Sequence, residues 1–180
     1  MPPNAEGPSV WTRGEMERDR SWIVEFDARD LAELADATDR LAERGLGPLQ
    51  FGREDFPLPN LSLKLAALLE DIEYGRGFAL LRGLDVERYD IDRLSLLYWG
   101  LGAHLGQVIS QNSQGDLLGR VTDMESGKFS AGGYYEAGVR GHRTNAFLPP
   151  HSDSSDVVGL LCVRPARKGG ESWIASSIAV

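Results

Sequence analysis

One pair of side chains in the sequence has the types and the spacing for metal chemistry: His151 and Asp153, in the stretch LPPHSDSSD. On a β-strand, residues i and i+2 point to the same face, so the imidazole and the carboxylate would project side by side. Both groups belong to the ligand set of non-haem Fe(II), which leaves coordination positions open for a cosubstrate and oxygen. A triplet this short also arises by chance, and His151 could equally cap a strand end while hydrogen-bonded to Asp153.

The elements that must position this pair lie directly after it. Residues 157–163 form an almost unbroken apolar run, followed by Pro165, the glycines Gly169 and Gly170, and a second strand-like segment. We therefore predict a buried strand at 157–163 and a turn at the two glycines. Cys162 lies inside the apolar run, which predicts a small buried core residue rather than a nucleophile.

The first half of the chain reads as helices with a few strands. Residues 1–20 are polar and predict a loose lead-in. Alternating apolar residues predict a strand at 21–26, and a short apolar run between two glycines predicts a second strand at 77–83. Apolar residues at helical spacing predict three helices, each with a polar residue able to cap its start: 27–45 (Asp27 or Asp30), 60–75 (Asn60) and 89–106 (Asp90, with Ile91 facing inward).

From residue 107 onward, short strand-like segments follow one another. This order predicts an α+β fold in which 21–180 form one domain, with a helical part at 21–106 and a sheet sandwich or barrel beginning near 107. The glycine-rich stretch 123–141 is a functional lid or a disordered loop, and it lacks the phosphate-binding glycine patterns. His104, beside a leucine stripe, is predicted to be structural, and His142 to face solvent or cap a strand.

Composition excludes several functional classes. The 180 residues carry a net charge of −8 without a basic block, which argues against nucleic acid or a membrane surface as the partner. A single cysteine excludes an intramolecular disulfide framework and multi-cysteine metal sites. Neither a signal peptide nor an apolar membrane span is recognisable, so we expect a cytoplasmic protein.

The stretch HSDSSDVVGLLCVRPARKGGESW, residues 151–173, resembles the Fe(II)- and 2-oxoglutarate-dependent dioxygenases of the taurine and 2,4-dichlorophenoxyacetate dioxygenase (TauD/TfdA-like) family. In that family a His-x-Asp motif precedes an apolar strand, a Pro-containing turn, and Gly-Gly-acidic-Thr/Ser before an aromatic or aliphatic residue. YGRGFALLRGL and LGAHLGQVISQN are also similar to the family's N-terminal region, so the resemblance covers roughly residues 74–180. The matching positions are His151, Asp153, 157–163, Pro165, Gly169, Gly170, Glu171, Ser172 and Trp173.

The resemblance implies the N-terminal part of a double-stranded β-helix (jelly roll) with flanking helices. It also implies that His151 and Asp153 bind Fe(II), and that the Ser172 hydroxyl hydrogen-bonds a carboxylate of the cosubstrate 2-oxoglutarate. An ordinary strand hydroxyl is the alternative for Ser172. The implied reaction is oxygenation, of the hydroxylase type, of a small organic acid or amino-acid-like substrate by O2.

Three polar residues are candidates for the substrate pocket. Gln111 and Asn112 fall where family members place substrate-contacting side chains, although a turn that closes a strand explains them equally well. Asn145, six residues before His151, is a further candidate.

Two groups that the family requires cannot be placed in this sequence. The third iron ligand is a distal histidine, and no histidine follows Asp153. The family's arginine for the far carboxylate of 2-oxoglutarate is also missing, because Arg164 and Arg167 lie too early. We therefore expect a C-terminally truncated oxygenase and no turnover by residues 1–180 alone. A non-catalytic jelly-roll remnant or binding module is the alternative; a cupin-type enzyme is disfavoured because cupins use more histidine ligands.

Overall fold

The computed structural model describes residues 6–111, 115–122 and 149–179. They divide between two compact units, Met1–Val108 with Gly159–Val180 and Ile109–Val158. None of the helices in these ranges is long and apolar enough to cross a membrane. The elements are, in chain order, α1 (Arg13–Arg18), β1 (Ile23–Glu25), α2 (Ala28–Glu43), a 3-10 turn (Arg53–Asp55), α3 (Leu61–Tyr74), β2 (Leu80–Arg82), a 3-10 turn (Val86–Arg88) and α4 (Ile91–Leu105).

The core of the first unit lies between α2, α3 and α4. Each helix turns a stripe of apolar side chains inward, as the sequence predicts for three amphipathic helices. Burying one leucine side chain stabilises the fold by about 1.5–3 kcal/mol relative to leaving it exposed. The stripes are Leu34, Ala37 and Leu41 on α2, Leu61 and Leu65 on α3, and Leu96, Leu97 and Leu101 on α4.

The start of α3 differs from the prediction. Asn60 occupies the N-cap position, but its side chain accepts no capping hydrogen bond. The Glu33 carboxylate of α2 accepts the Leu61 N–H at 3.0 Å and the Asn60 N–H at 3.2 Å instead. Ile91 also differs, since it is exposed rather than inward-facing. Asp27 and Asp90 do cap α2 and α4 with their side chains.

The two predicted strands pair with each other. β1 and β2 are parallel, with Ile23 opposite Leu80 and Glu25 opposite Arg82. Parallel neighbours require a crossover connection, and α2 and α3 lie between these strands in the chain. Both strands are three residues long, shorter than the predicted segments.

The lead-in predicted for residues 1–20 contains the helix α1. Its first turn is held by the Glu15 carboxylate, which accepts the Thr12 N–H at 2.7 Å. Trp11 donates its indole N–H to the Arg76 carbonyl oxygen at 2.8 Å. The Trp11 ring lies 4.9 Å from the Phe78 ring, between centroids. These contacts attach the amino-terminal segment to the chain just before β2.

The strands predicted from residue 107 onward are not formed in the parts of this region that the structure describes. Cys162 is exposed, contrary to the prediction of a buried core residue. Leu160, in the same apolar run, is also exposed, at 78%. A strand satisfies its backbone and buries its faces only beside other strands and a second layer. The jelly roll therefore stays a prediction, while the mixture of helices and a few strands agrees with an α+β fold. The predicted loop at 123–141 lies outside the described residues.

Candidate metal centre

The imidazole of His151 is oriented by the backbone that precedes it. Its Nδ1 lies 2.8 Å from the Pro149 carbonyl oxygen. A carbonyl oxygen can only accept, so Nδ1 carries the hydrogen and donates it. In the neutral ring, Nε2 is then left with a lone pair, the form in which histidine binds a metal.

The second predicted ligand lies beside this nitrogen. Nε2 of His151 and Oδ1 of Asp153 are 3.8 Å apart, beyond the range of a direct hydrogen bond. The His151 side chain is 43% exposed and that of Asp153 54% exposed, so an ion can reach both from solvent. Two adjacent ligand atoms that each lie about 2.1 Å from one octahedral ion are ~3.0 Å apart, so the His151–Asp153 pair would have to close by roughly 0.8 Å to share an Fe(II) ion.

The pair supplies two ligands of different chemistry. The imidazole is a neutral nitrogen donor and the carboxylate an anionic oxygen donor, which suits a divalent first-row transition metal. Within 6–111, 115–122 and 149–179, no group of three His, Cys, Asp or Glu side chains is placed to hold an ion. Among the described residues, the His151–Asp153 pair therefore offers two ligands for a metal ion.

Gln111 forms local hydrogen bonds in the second unit. Its backbone N–H donates to the Asp116 carbonyl oxygen at 2.6 Å, and its side-chain amide donates to the Ile109 carbonyl oxygen at 2.8 Å. Both partners are near Gln111 in sequence, and its predicted place in the substrate pocket stays a prediction. Asn112 and Asn145, the other substrate candidates, lie outside the described residues, as does His142.

Ser172 lies in the first unit, and its side chain is exposed. Gly169 and Gly170 precede it with φ of +73° and +81°, a backbone conformation that L residues with side chains rarely adopt. The positive φ at both positions explains why glycines stand there.

His104 makes a structural hydrogen bond within the first unit. It lies on α4, and its Nε2 is 2.7 Å from the Phe56 carbonyl oxygen. This bond ties the end of α4 to the loop before α3, which agrees with the structural role predicted for His104.

Residues 42–180 match the family described as "Taurine catabolism dioxygenase TauD, TfdA family". The chain belongs to the TauD/TfdA family. The match begins in α2 and includes His151, Asp153 and Ser172.

Two curated relatives are similar along nearly the whole chain. "FR-33289 synthase" of Streptomyces rubellomurinus is 33% identical over 174 residues, which are 97% of this chain and 50% of that protein. "Taurine hydroxylase-like protein SAT17" of Stachybotrys chartarum is 28% identical over 173 residues, which are 95% of this chain and 45% of that protein. The chain thus spans about half the length of the TauD/TfdA relatives that it matches.

One contributor to the candidate centre was missed in the sequence. The Pro149 carbonyl oxygen accepts a hydrogen bond from the His151 ring and so fixes its orientation. Because this is a backbone contact, the type of side chain at position 149 does not indicate it. The signal was the Pro149–Pro150 pair directly before the TauD/TfdA motif, since proline restricts the backbone and leaves its carbonyl free to accept.

Proposed function

We propose that this chain carries the metal-binding His–Asp pair of an Fe(II)- and 2-oxoglutarate-dependent oxygenase of the hydroxylase type. His151 and Asp153 would hold the iron, and Ser172 would hydrogen-bond a carboxylate of 2-oxoglutarate. Membership of the TauD/TfdA dioxygenase family supports the reaction class. The small organic acid or amino-acid-like substrate is supported by the names of the family and of the fungal relative, because taurine is a small amino-sulfonic acid.

The observation that carries the proposal is the geometry of His151. Donation from Nδ1 to the Pro149 carbonyl selects the tautomer whose Nε2 can bind a metal. The same nitrogen is the atom that faces Oδ1 of Asp153.

Each residue then has a physical task. The Pro149 carbonyl limits rotation of the His151 ring and makes it a better donor, as outer partners of metal-bound histidines do. The Asp153 carboxylate offsets one positive charge of the ion. The chemistry that Fe(II) supplies when bound is the coupling of 2-oxoglutarate decarboxylation, to succinate and CO2, with hydroxylation of the substrate by O2.

The test is an anaerobic titration of the corresponding full-length protein with Fe(II) and 2-oxoglutarate. We expect the weak visible charge-transfer band of an iron–2-oxoglutarate chelate in the wild type. Asp153→Asn should abolish it, since it removes the anionic ligand with almost no change in size. Asp156→Asn is the matched control, an exposed carboxylate three residues further along.

Two results would count against the proposal. A full-length wild type without the band rejects the oxygenase and favours the non-catalytic binding module. Equal bands in the Asp153 and Asp156 variants would remove Asp153 from the ligand set.

A further inference from the structure

A hydrogen bond joins the two ends of the first unit. The Ser176 hydroxyl donates to the Ser9 carbonyl oxygen at 2.6 Å, across 167 positions of sequence. It also accepts the Ala179 N–H at 3.1 Å, so the hydroxyl is used both as donor and as acceptor. Ser176 is 8% exposed, whereas the side chains of 171–175 and of Ser177 are exposed. Ser176 is therefore the point at which this segment is fixed.

The other partner of this bond is itself held in place. Ser9 lies two residues before Trp11, whose indole N–H donates to the Arg76 carbonyl oxygen. The Phe78 ring packs against Trp11 at 4.9 Å and against Trp22 at 5.5 Å, between ring centroids. The Ser9 carbonyl is thus part of an aromatic-anchored segment, and Ser176 is attached to that segment.

The anchor lies close in sequence to the predicted cosubstrate residue. Ser172 is four residues before Ser176, and four residues of extended chain span at most about 14 Å. Fixing Ser176 therefore restricts the positions open to the exposed Ser172 hydroxyl. Restriction before binding reduces the conformational entropy that a ligand must remove when it binds.

We propose that Ser176, held by the Ser9 carbonyl of the amino-terminal segment, is a positioning residue for Ser172 in binding the carboxylate of 2-oxoglutarate. This inference rests on the proposed function. It gives the amino-terminal segment a role in the cosubstrate site, although that segment lies outside the family match at 42–180.

The experiment measures the affinity of the full-length protein for 2-oxoglutarate, anaerobically with Fe(II), by equilibrium binding. Ser176→Ala should weaken binding by up to roughly tenfold, the limit that applies if the whole free energy of one buried hydrogen bond is coupled to binding. Ser177→Ala, at the exposed neighbour, should leave the affinity unchanged, and Ser176→Thr, which keeps a hydroxyl, should restore most of it. Amide hydrogen exchange should be faster at 171–179 in Ser176→Ala than in Ser177→Ala.

A double-mutant cycle separates positioning from general destabilisation. If Ser176 acts through Ser172, then Ser176→Ala should have little further effect on affinity in a Ser172→Ala background. An undiminished effect in that background overturns the inference, and so does equal affinity in the Ser176 and Ser177 variants. A wild type that does not bind 2-oxoglutarate refutes the proposed function itself, and the inference with it.

Discussion

The Glu33 carboxylate on α2 accepts the backbone N–H of Leu61, the first residue of α3, at 3.0 Å. One helix thereby caps the next, through a side chain 28 residues earlier in the chain. The Asn60 backbone N–H and side-chain amide also donate to Glu33, which brings the donors to this carboxylate to three. Burial alone would raise the pKa of Glu33, but the hydrogen bonds from Asn60 and Leu61 outweigh it and lower the pKa. The contact is thus a cap and a link between two helices of the core.

We expect Glu33→Ala to lower the free energy of unfolding by about 1 kcal/mol, the usual cost of losing an N-cap acceptor. Asn60→Ala should cost less, because Asn60 accepts no capping hydrogen bond and only donates to Glu33. Urea denaturation of the two variants and the wild type measures both values. A larger loss for Asn60→Ala would show that Asn60 is the cap after all.

Acid should weaken the contact between Asp27 and Lys64. The Lys64 ammonium lies 2.7 Å from the Asp27 carboxylate, and this hydrogen bond, with the backbone N–H of Asp30, lowers the pKa of Asp27 from 3.8 to about 2. Because the folded pKa is the lower one, the stabilisation is complete above pH 3.8 and is lost as the pH falls through about 2.

The Asp27→Asn variant tests this dependence, since asparagine still caps the start of α2 while the charge is removed. We expect lower stability than the wild type at pH 6 and a flatter pH dependence between pH 4 and 2. Asp36→Asn, which removes an exposed carboxylate paired with Arg40 on the same helix, is the control for the loss of one surface charge. If the stability of Asp27→Asn changed with pH as steeply as that of the wild type between pH 4 and 2, the pH dependence could not be assigned to Asp27. Unfolding by urea at a series of pH values provides the comparison.

The helical part of the fold was predictable because its determinants are local. Apolar residues such as Leu34 and Leu41 recur within one helix, and Asp27 caps the helix that it precedes, so no distant partner has to be known. The same reason explains the candidate metal centre. His151 and Asp153 are two positions apart, and their side chains lie close together even though no strand forms there.

Determinants that are distant in sequence were missed. The cap from Glu33 and the bond from Ser176 to Ser9 depend on residues that come together only in the folded chain. Strand formation at 157–163 is equally non-local, because a strand needs a neighbour for its backbone and a second layer for its apolar side chains. The apolar composition of 157–163 predicts a strand, but it supplies neither a neighbouring strand nor a second layer. Cys162 is exposed as a result.

Two glycines of α4 should respond in opposite ways to the same substitution. A methyl group at Gly100 would lie 2.5 Å from Cδ1 of Phe56, which is completely buried. Gly100→Ala should therefore destabilise the fold by about 1–3 kcal/mol through overpacking. Gly102→Ala meets no atom within 4 Å and should stabilise α4 by up to ~1 kcal/mol, since alanine favours helix. The thermal unfolding midpoint should fall in Gly100→Ala and rise in Gly102→Ala. If both midpoints shifted in the same direction, α4 would not be closely packed on Phe56.

Gly159 and Tyr98 should be energetically coupled. A methyl group at Gly159 would lie 2.8 Å from the Tyr98 hydroxyl oxygen but 3.7 Å from ring atom Cζ. The steric clash is therefore with the hydroxyl oxygen and not with the ring. Burial raises the pKa of Tyr98, which keeps the phenol protonated and the contact neutral at ordinary pH. We expect Gly159→Ala to cost about 1 kcal/mol in the wild type and much less in a Tyr98→Phe background. Urea denaturation of the four proteins in this double-mutant cycle gives the coupling, and additive losses would show that the two residues do not touch.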